Sequence, residues 1–164
     1  INGVKPTAVP FFLDYPQPFE RIPLRYEGEN FSRRTGSNRK IPGASQRFAR
    51  YFSREKDSPN FLAYGPAVPY ARGFIIAKFK LTFENLETKI RPLCCLDIFS
   101  KEDGRPLVQR YIKPGDVKNN PSGTYELHIL LPETKTLEFR VQAEKWSDSS
   151  FDYLYITYYQ GISP

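Results

Sequence analysis

The chain has 164 residues and a formal net charge of +6, and 40% of its residues are apolar. This length and composition are typical of one globular domain, and they exclude a coiled coil and a disordered tail. No apolar run approaches the roughly 20 residues of a membrane-spanning helix, so we expect no membrane span.

Proline and glycine interrupt a chain that is rich in aromatic residues. Aromatics make up 15% of the sequence, with 15 prolines and ten glycines. Aromatic side chains favour pleated, half-buried surfaces, and frequent Pro and Gly break long helices. We therefore predict an all-β domain over residues 22–164. Residues 1–21 carry four prolines and no clear hydrophobic period, which predicts an extended arm or linker.

The first part of the domain has weak strand signals. Residues 22–29 are predicted as a strand, and the polar stretch 30–43 as a long loop. Residues 45–53 fit a strand or a short helix, because their aromatic side chains match both periods. The strand is favoured, since the turn-forming sequence EKDSP follows it.

The second part alternates more clearly. In residues 72–85, five apolar side chains point to one face and lysines and Thr82 to the other. Further strands are predicted at 91–100, 107–113, 124–132, 136–146 and 151–159. Seven to nine short strands separated by turns indicate a single jelly-roll β-sandwich.

The sequence gives little support for catalysis. Cys94 and Cys95 are adjacent, so a normal disulfide between them is difficult. With the single His128 they cannot supply the about four ligands of a structural zinc site. His128 itself lies mid-strand and is interpreted as a structural or surface residue. No nucleophile elbow, phosphate loop or dinucleotide fingerprint is present, so we expect no enzymatic activity.

The excess positive charge is local. Seven basic and no acidic residues lie between Arg33 and Arg54. Such a segment is either a solvated loop or an anion-binding one, for an acidic polysaccharide, a nucleic acid or an acidic protein surface. The sequence contains no helix-turn-helix, RRM or KH motif, so we expect no nucleic-acid partner.

Two early carboxylates could form a cation site. Glu27 and Glu29 are two residues apart, so on a strand both would face the same side. Carboxylate oxygens suit a hard cation such as Ca²⁺. Asp152 could supply a third oxygen ligand if the first and last strands adjoin.

These residues carry a family resemblance. The Glu-Xaa-Glu of YEGENFS and the closing FDYLYI resemble the two ends of carbohydrate-binding modules of the family 6 or family 35 type. Between them, NFLAYGPAVPYARGFIIAKFKLTF resembles a strand that leads through a Pro/Gly turn into the alternating segment of those modules. The match covers roughly residues 22–160. It implies a galactose-binding-like jelly roll in which Glu27, Glu29 and Asp152 hold a structural Ca²⁺.

The resemblance also implies a function. It predicts a non-catalytic module that binds a poly- or oligosaccharide and holds a parent glycan-active enzyme near it, outside the cell or at the cell surface. The basic segment favours an acidic glycan. Sugars stack their C–H faces on aromatic rings and need polar partners for their hydroxyls. The candidate stacking residues are Trp146, Tyr64 and Tyr70, and the candidate polar residues are Arg72, Asp148 and Asn60.

Two other functions remain open at this stage. The domain could be a structural or protein-interaction sandwich, in which the arm and the basic loop contact another domain or subunit. It could also be a small lyase or hydrolase, which would require carboxylate, Tyr or Arg side chains that converge in one groove.

Overall fold

The computed structural model describes residues 20–117 and 120–161. In these residues, eleven β-strands form two antiparallel sheets. Two short helical elements accompany them: a 3-10 turn at Gly28–Asn30 and a single turn α1 at Pro114–Val117. Across the described ranges, no helix has the length and apolar character needed to cross a membrane.

The eleven strands are joined by turns and loops of different lengths. In chain order they are β1 Glu20–Glu27, β2 Ser37–Lys40, β3 Phe48–Phe52, β4 Phe61–Ala63, β5 Val68–Tyr70, β6 Gly73–Glu84, β7 Cys94–Ser100, β8 Arg105–Ile112, β9 Ser122–Leu131, β10 Lys135–Ala143 and β11 Asp148–Gln160.

The larger sheet is built around β11. Its strand order is β2–β3–β11–β6–β9, and β1 also pairs with β11. β6 occupies one side of β11 along its length, while β3 and β1 share the other side in tandem. β3 pairs with residues 149–151 and β1 with residues 153–160. The register shifts between Phe151 and Tyr153, so Asp152 is a β-bulge.

The smaller sheet is built in the same way around β10. Its order is β4–β10–β7–β8, and β5 also pairs with β10. β5 pairs with the beginning of β10 and β4 with its end. The segment 64–67 connects β4 to β5 along the same edge of β10 and forms one side of the site described below.

The core lies between the two sheets. The predicted alternation of β6 is confirmed: Ile75, Ala77, Phe79, Leu81 and Phe83 are all fully buried. Burial of one such Phe or Leu side chain contributes roughly 1.5–3 kcal/mol. Cys94 belongs to this core, Cys95 is buried on the other face of β7, and both thiols are free.

The structure corrects the prediction at the beginning of the domain. Residues 48–52 form a strand, so the strand interpretation of 45–53 is confirmed over that range. The long loop predicted over 30–43 is wrong in part, because residues 37–40 form the edge strand β2. Its side chains are polar and mostly exposed, and the strand is held by backbone pairing with β3, which leaves no hydrophobic alternation to detect. Residues 1–19 of the predicted arm lie outside the described residues.

Candidate functional site

A cleft of about 370 Å³ opens beside the end of β1. Its lining combines two tyrosines with polar and small apolar residues: Tyr26, Asn30, Phe31, Ser32, Tyr64, Gly65, Pro66, Ala67 and Glu138. These residues come from β1, from the 3-10 turn and the segment after it, from the β4–β5 connection and from β10. The cleft thus lies where the two sheets meet at one edge of the sandwich.

Backbone contacts fix the shape of the cleft. Ser32 and Tyr64 form an isolated antiparallel bridge, in which the Tyr64 N–H donates to the Ser32 carbonyl at 2.9 Å. The Gly65 carbonyl accepts from the Phe139 N–H at 3.0 Å. Gly65 has φ +107°, a conformation that L side chains rarely adopt. The loop between β4 and β5 is therefore held against β10 at a bend that requires glycine.

The aromatic contacts anchor the floor of the cleft in the core. The ring of Phe31 is buried and makes edge contacts with Tyr26, at 6.1 Å, and with Phe151, at 5.3 Å between centroids. Tyr64 is half-buried and contacts Phe61. Glu138 forms an ion pair with Lys101 at 3.0 Å. The cleft thus offers aromatic surface together with amide, hydroxyl and carboxylate groups.

A second, more polar groove of about 510 Å³ lies next to the cleft. It is lined by Arg33, Arg34, Thr35, Gly36, Lys56, Asp57 and Ser58. The Arg34 guanidinium carbon lies 5.9 Å from the centroid of the Tyr64 ring, so this arginine connects the groove to the cleft. We call this concavity the basic groove.

Backbone hydrogen bonds hold the basic groove together. The N–H groups of Arg34 and Thr35 both donate to the Phe61 carbonyl, and the Thr35 hydroxyl donates to the Ser58 carbonyl at 2.7 Å. Gly36 has φ +74°, and a methyl group there would overlap the Tyr51 carbonyl. The segment 33–36 is therefore held against residues 58–61 by hydrogen bonds, and it packs closely on the backbone of Tyr51.

Three of the seven basic residues in the predicted segment have structural roles. Arg50 is 3% exposed and donates from Nη2 to the carbonyls of Glu29 and Phe31. Arg54 forms an ion pair with Glu87. The Arg39 guanidinium carbon lies 3.9 Å from the Tyr51 ring centroid. The predicted anion-binding segment is thus divided between side chains that stabilise the fold and others that face solvent.

The predicted cation ligands lie close to the cleft, where β1 meets the bulge of β11. The Ser45 hydroxyl oxygen lies 2.5 Å from Glu27 Oε2 and 2.8 Å from Asp152 Oδ1. One hydroxyl proton serves only one of these two acceptors at a time. The Ser45 N–H donates to both Asp152 oxygens, at 3.0 and 3.2 Å, and Arg25 Nε donates to Glu27 Oε1 at 2.7 Å. We call this arrangement the carboxylate junction.

Gly28 allows the junction to form. A Cβ atom at this position would overlap the backbone carbonyl oxygens of Phe151 and Asp152. Only glycine lets the 3-10 turn approach the bulge this closely. The first strand, β1, pairs with the last strand, β11, as the proposed role of Asp152 required. Glu27 and Asp152 face each other across Ser45.

Glu29 is placed differently from the other two carboxylates. Its Oε2 atom is buried and has no hydrogen-bond partner. Burial lowers the pKa of the neighbouring Arg50, as does the charge of Arg33, whereas the charge of Glu29 raises it. Among the described residues, no three Asp, Glu, His or Cys side chains form a cluster that could hold a metal ion. Of the three predicted ligands, Glu27 and Asp152 thus lie together at Ser45. Glu29, two residues after Glu27, has a buried carboxylate oxygen without a hydrogen-bond partner.

Two of the six predicted ligand-binding residues are unsuited to that role. Tyr70 is 3% exposed and packs edge-on against Phe139 and Tyr158, so its ring faces are not accessible. Burial raises its pKa far above the usual range of a tyrosine. Asp148 is 8% exposed, and its carboxylate accepts from the Arg54 N–H at 2.9 Å and from Asn85 Nδ2 at 2.6 Å. Both predictions are corrected: these side chains stabilise the fold.

The other four predicted residues lie in different parts of the molecule. Tyr64 lines the cleft. Asn60 is exposed near the end of β10, where its carbonyl accepts from the Ala143 N–H. Trp146 is half-buried between β10 and β11, where it packs against the core and lies beneath Lys145. Arg72 is exposed near the opposite end of β11, where its carbonyl accepts from the Gly161 N–H.

Sequence reasoning missed most of the cleft. Tyr26, Asn30, Ser32 and Glu138 all line it, yet none was a candidate ligand residue. Tyr26 and Glu138 are ordinary strand residues in the sequence, and Asn30 and Ser32 fall in a stretch without hydrophobic periodicity. The bridge between Ser32 and Tyr64, which joins positions 32 residues apart, brings them together, and no local pattern signals it.

This architecture is found among solved structures, although comparisons of the sequence give no match. No protein-family model matches the sequence, and a search of curated proteins gives no match. Among solved structures, the chain is similar to the C-terminal CBM6, a family 6 carbohydrate-binding module, of LamC, a marine laminarinase from Zobellia galactanivorans. The TM-score is 0.50 at 10% identity, over 83% of this chain and 99% of that one. The chain shares the β-sandwich fold of that module.

Two further solved structures are similar at lower scores. The module CBM6cm-2 from Cellvibrio mixtus lichenase 5A, solved with cellotriose, gives a TM-score of 0.45 at 8% identity, over 81% of this chain and 95% of that one. The infectious bursal disease virus VP2 subviral particle gives 0.47 at 12% identity, over 88% of this chain and 34% of that one. The predicted all-β sandwich, with the fold of family 6 modules, is confirmed.

Proposed function

We propose that this chain is a carbohydrate-binding module and that the cleft between Tyr26 and Tyr64 holds the sugar. The observation that carries the proposal is the composition of the cleft, in which two tyrosines stand beside Asn30, Ser32 and Glu138. A pyranose has an apolar C–H face and a rim of hydroxyl groups, so it needs both aromatic surface and fixed polar groups. The likeness of the fold to a module named as carbohydrate-binding supports the same proposal.

The module has no catalytic role in this proposal. Hydrolysis of glycosidic bonds commonly uses two carboxylates that flank the scissile bond. The described lining of the cleft contains one carboxylate, Glu138, which is ion-paired with Lys101. Binding without chemistry fits an accessory domain, which raises the concentration of a parent glycan-active enzyme at its polysaccharide. Such a protein acts outside the cell or at the cell surface, where polysaccharides are found.

The glycan in this proposal is acidic. The basic groove adjoins the cleft through Arg34. Its described lining contains three cationic side chains and one carboxylate, Asp57, which is already bound to the Ser53 N–H at 2.8 Å. A positive potential beside a sugar cleft favours glycans that carry carboxylate or sulfate groups.

A structural Ca²⁺ at the carboxylate junction is part of the same proposal. Glu27 and Asp152 would hold it, with Glu29 as a third oxygen donor. The support is the meeting of two carboxylates at one hydroxyl and the buried, unpartnered Glu29 Oε2. The ion would neutralise these charges and join β1 to the bulge of β11 beside the cleft.

The test compares the wild-type protein with two variants by affinity electrophoresis and on a glycan array. Tyr64→Ala removes one aromatic side of the cleft, and Tyr111→Ala removes a 53% exposed tyrosine from β8, outside the cleft. We expect retention of the wild type by at least one polysaccharide, a loss of about tenfold in affinity for Tyr64→Ala, and little change for Tyr111→Ala.

Two outcomes would contradict the proposal. One is no retention of the wild type by any polysaccharide at low salt. The other is an equal loss in the two tyrosine variants, because a general effect of aromatic side chains does not require the cleft. Capture of a protein partner through the same surface, without glycan binding, would favour the protein-interaction function.

A further inference from the structure

The basic groove contains cations that the fold itself does not use. The side chains of Arg33, Arg34 and Lys56 form no ion pair in the described part of the chain. Arg33 and Arg34 are exposed. Elsewhere in the same segment, Arg50 and Arg54 are bound to carbonyls and to a carboxylate. The groove thus brings together three cations without a described ion-pair partner, whereas Arg50 and Arg54 nearby in the chain have structural partners.

Hydrogen bonds and one close backbone contact fix the shape of the basic groove. Residues 33–36 are tied to residues 58–61 by the bonds of Arg34, Thr35 and the Thr35 hydroxyl. The glycine at position 36 permits the close approach to Tyr51. The backbone that carries Arg33 and Arg34 is therefore fixed, and among the described residues that line the groove Asp57 is the one carboxylate.

Arg34 joins the basic groove to the cleft. Its side chain lines the groove, and its guanidinium carbon lies over the Tyr64 ring, 5.9 Å from the ring centroid. A cationic group therefore stands beside the aromatic side chain that we propose contacts the sugar, and substituents of that sugar or of the next one would lie near the arginine. Guanidinium groups bind carboxylate and sulfate oxygens with paired N–H donors, in a geometry that lysine does not offer.

We propose that Arg33, Arg34 and Lys56 form an anion subsite that binds the charged group of a glycan whose neighbouring ring occupies the Tyr26–Tyr64 cleft. This inference rests on the proposed carbohydrate function. It assigns the selection of acidic glycans to these three side chains and excludes Arg39, Arg50 and Arg54 from it. The shared ligand chemistry is an oxyanion on a sugar, either the carboxylate of a uronic acid or a sulfate ester.

The experiment compares three polysaccharides: a neutral β-glucan, a polyuronate and a sulfated galactan. Arg33→Gln and Arg34→Gln are tested singly and together, and Arg39→Gln is the matched control. The control loses the same charge from the same segment, but its guanidinium stacks on Tyr51 rather than lining the groove. All of these positions are exposed, so the substitutions should leave the fold intact, which a thermal melt checks.

We expect the double variant to lose about tenfold or more in affinity for the acidic polysaccharides and to keep its affinity for the neutral one. The wild-type preference for acidic glycans should fall as salt rises, because salt screens exposed charges. Preference for the polyuronate or for the sulfated galactan identifies the natural oxyanion, and either supports the subsite.

Three outcomes would overturn the subsite. The first is an equal loss in Arg39→Gln, which would mean that net charge alone attracts the glycan. The second is an equal loss toward neutral and acidic polysaccharides. The third is retention of a single-stranded nucleic acid with no acidic glycan bound. The carbohydrate function fails separately, when the wild type binds none of the polysaccharides, and the assignment of the cleft fails when Tyr64→Ala leaves the binding of every polysaccharide unchanged.

Discussion

The carboxylate of Asp97 and the carboxylates of the junction have different hydrogen-bond partners. On the smaller sheet, Asp97 forms two hydrogen bonds with Arg140, at 2.7 and 2.8 Å, and the guanidinium lies between the rings of Phe61 and Phe99. At the carboxylate junction, Glu27 and Asp152 share the hydroxyl of Ser45. Asp97 thus has a cation that binds both of its oxygens. At the junction, Glu27 is paired with Arg25, and Asp152 accepts from the hydroxyl and the N–H of Ser45. The contrast is between a carboxylate that is neutralised on its own sheet and two adjacent carboxylates of which one is paired with a cation.

The internal pair should give the largest effect. In Arg140→Met, the Asp97 carboxylate, whose side chain is 6% exposed, loses its cation and stays buried. We expect a loss of about 3 kcal/mol or more in the free energy of unfolding, measured by urea denaturation. The double variant Asp97→Asn with Arg140→Met removes both charges and should recover much of the loss. A small effect in the single variant would mean that the pair contributes little.

The approach of β1 to the bulge is tested by Gly28→Ala. The added methyl group would overlap the Phe151 carbonyl, so the 3-10 turn must move away from β11. We expect a loss of about 2 kcal/mol in the free energy of unfolding, together with weaker glycan binding because the turn also lines the cleft. Gly115→Ala is the control, since no atom lies within 4 Å of its added Cβ. Equal stability of the two variants would refute the tight approach.

Calcium should distinguish the junction from the internal pair. We expect the melting temperature to rise by about 5 °C or more when Ca²⁺ exceeds its dissociation constant a hundredfold, relative to EDTA. Glu27→Gln and Asp152→Asn should each remove the rise, and Glu29→Gln should reduce it. Asp97→Asn should leave it unchanged, because that carboxylate lies on the smaller sheet, where Arg140 binds both of its oxygens, and is not part of the junction. The proposed ion site is wrong when the wild type gives no rise.

A smaller effect on the free energy of unfolding is expected at alkaline pH from Cys95, which lies two residues before Asp97 in β7. Burial and, to a lesser extent, the charge of Asp97 together raise the pKa of Cys95 from its ordinary value of 9.0 to about 11. Because the folded pKa is the higher one, the stabilising contribution is complete below pH 9.0 and is lost as the pH rises through about 11. The difference in unfolding free energy between wild type and Cys95→Ala should therefore shift over that interval. A constant difference would mean that the thiol is not desolvated.

The sequence predicts much of this fold because most strands carry a strong alternation. Residues 73–84 show it in every inward side chain, and the corresponding strand is confirmed. β2 escapes prediction because its side chains are polar and mostly exposed, and because its backbone pairs with β3 without a hydrophobic alternation. The short β4 and β5 are three residues each, which is too short for a period to be recognised.

The candidate site was less predictable. The spacing of Glu27 and Glu29 is visible in the sequence, whereas the approach of Asp152 to Glu27 depends on the pairing of β1 with β11, which the sequence left as a condition and the structure meets. The exclusion of Tyr70 and Asp148 is not, because each becomes buried through contacts far along the chain, with Phe139 and Asn85 respectively. Local composition identifies residue types that suit a sugar, whereas tertiary packing decides which of them remain accessible.

The tandem pairing on β11 has a consequence for how the chain can be divided. Among the described strands, β1 pairs only with β11, along the eight positions of residues 20–27. A chain that starts after this strand would leave the matching backbone donors and acceptors of β11 open at a sheet edge. A separate peptide with the β1 sequence should dock there and restore the missing partner. The protein is therefore suited to fragment complementation, with the first strand as the exchangeable piece.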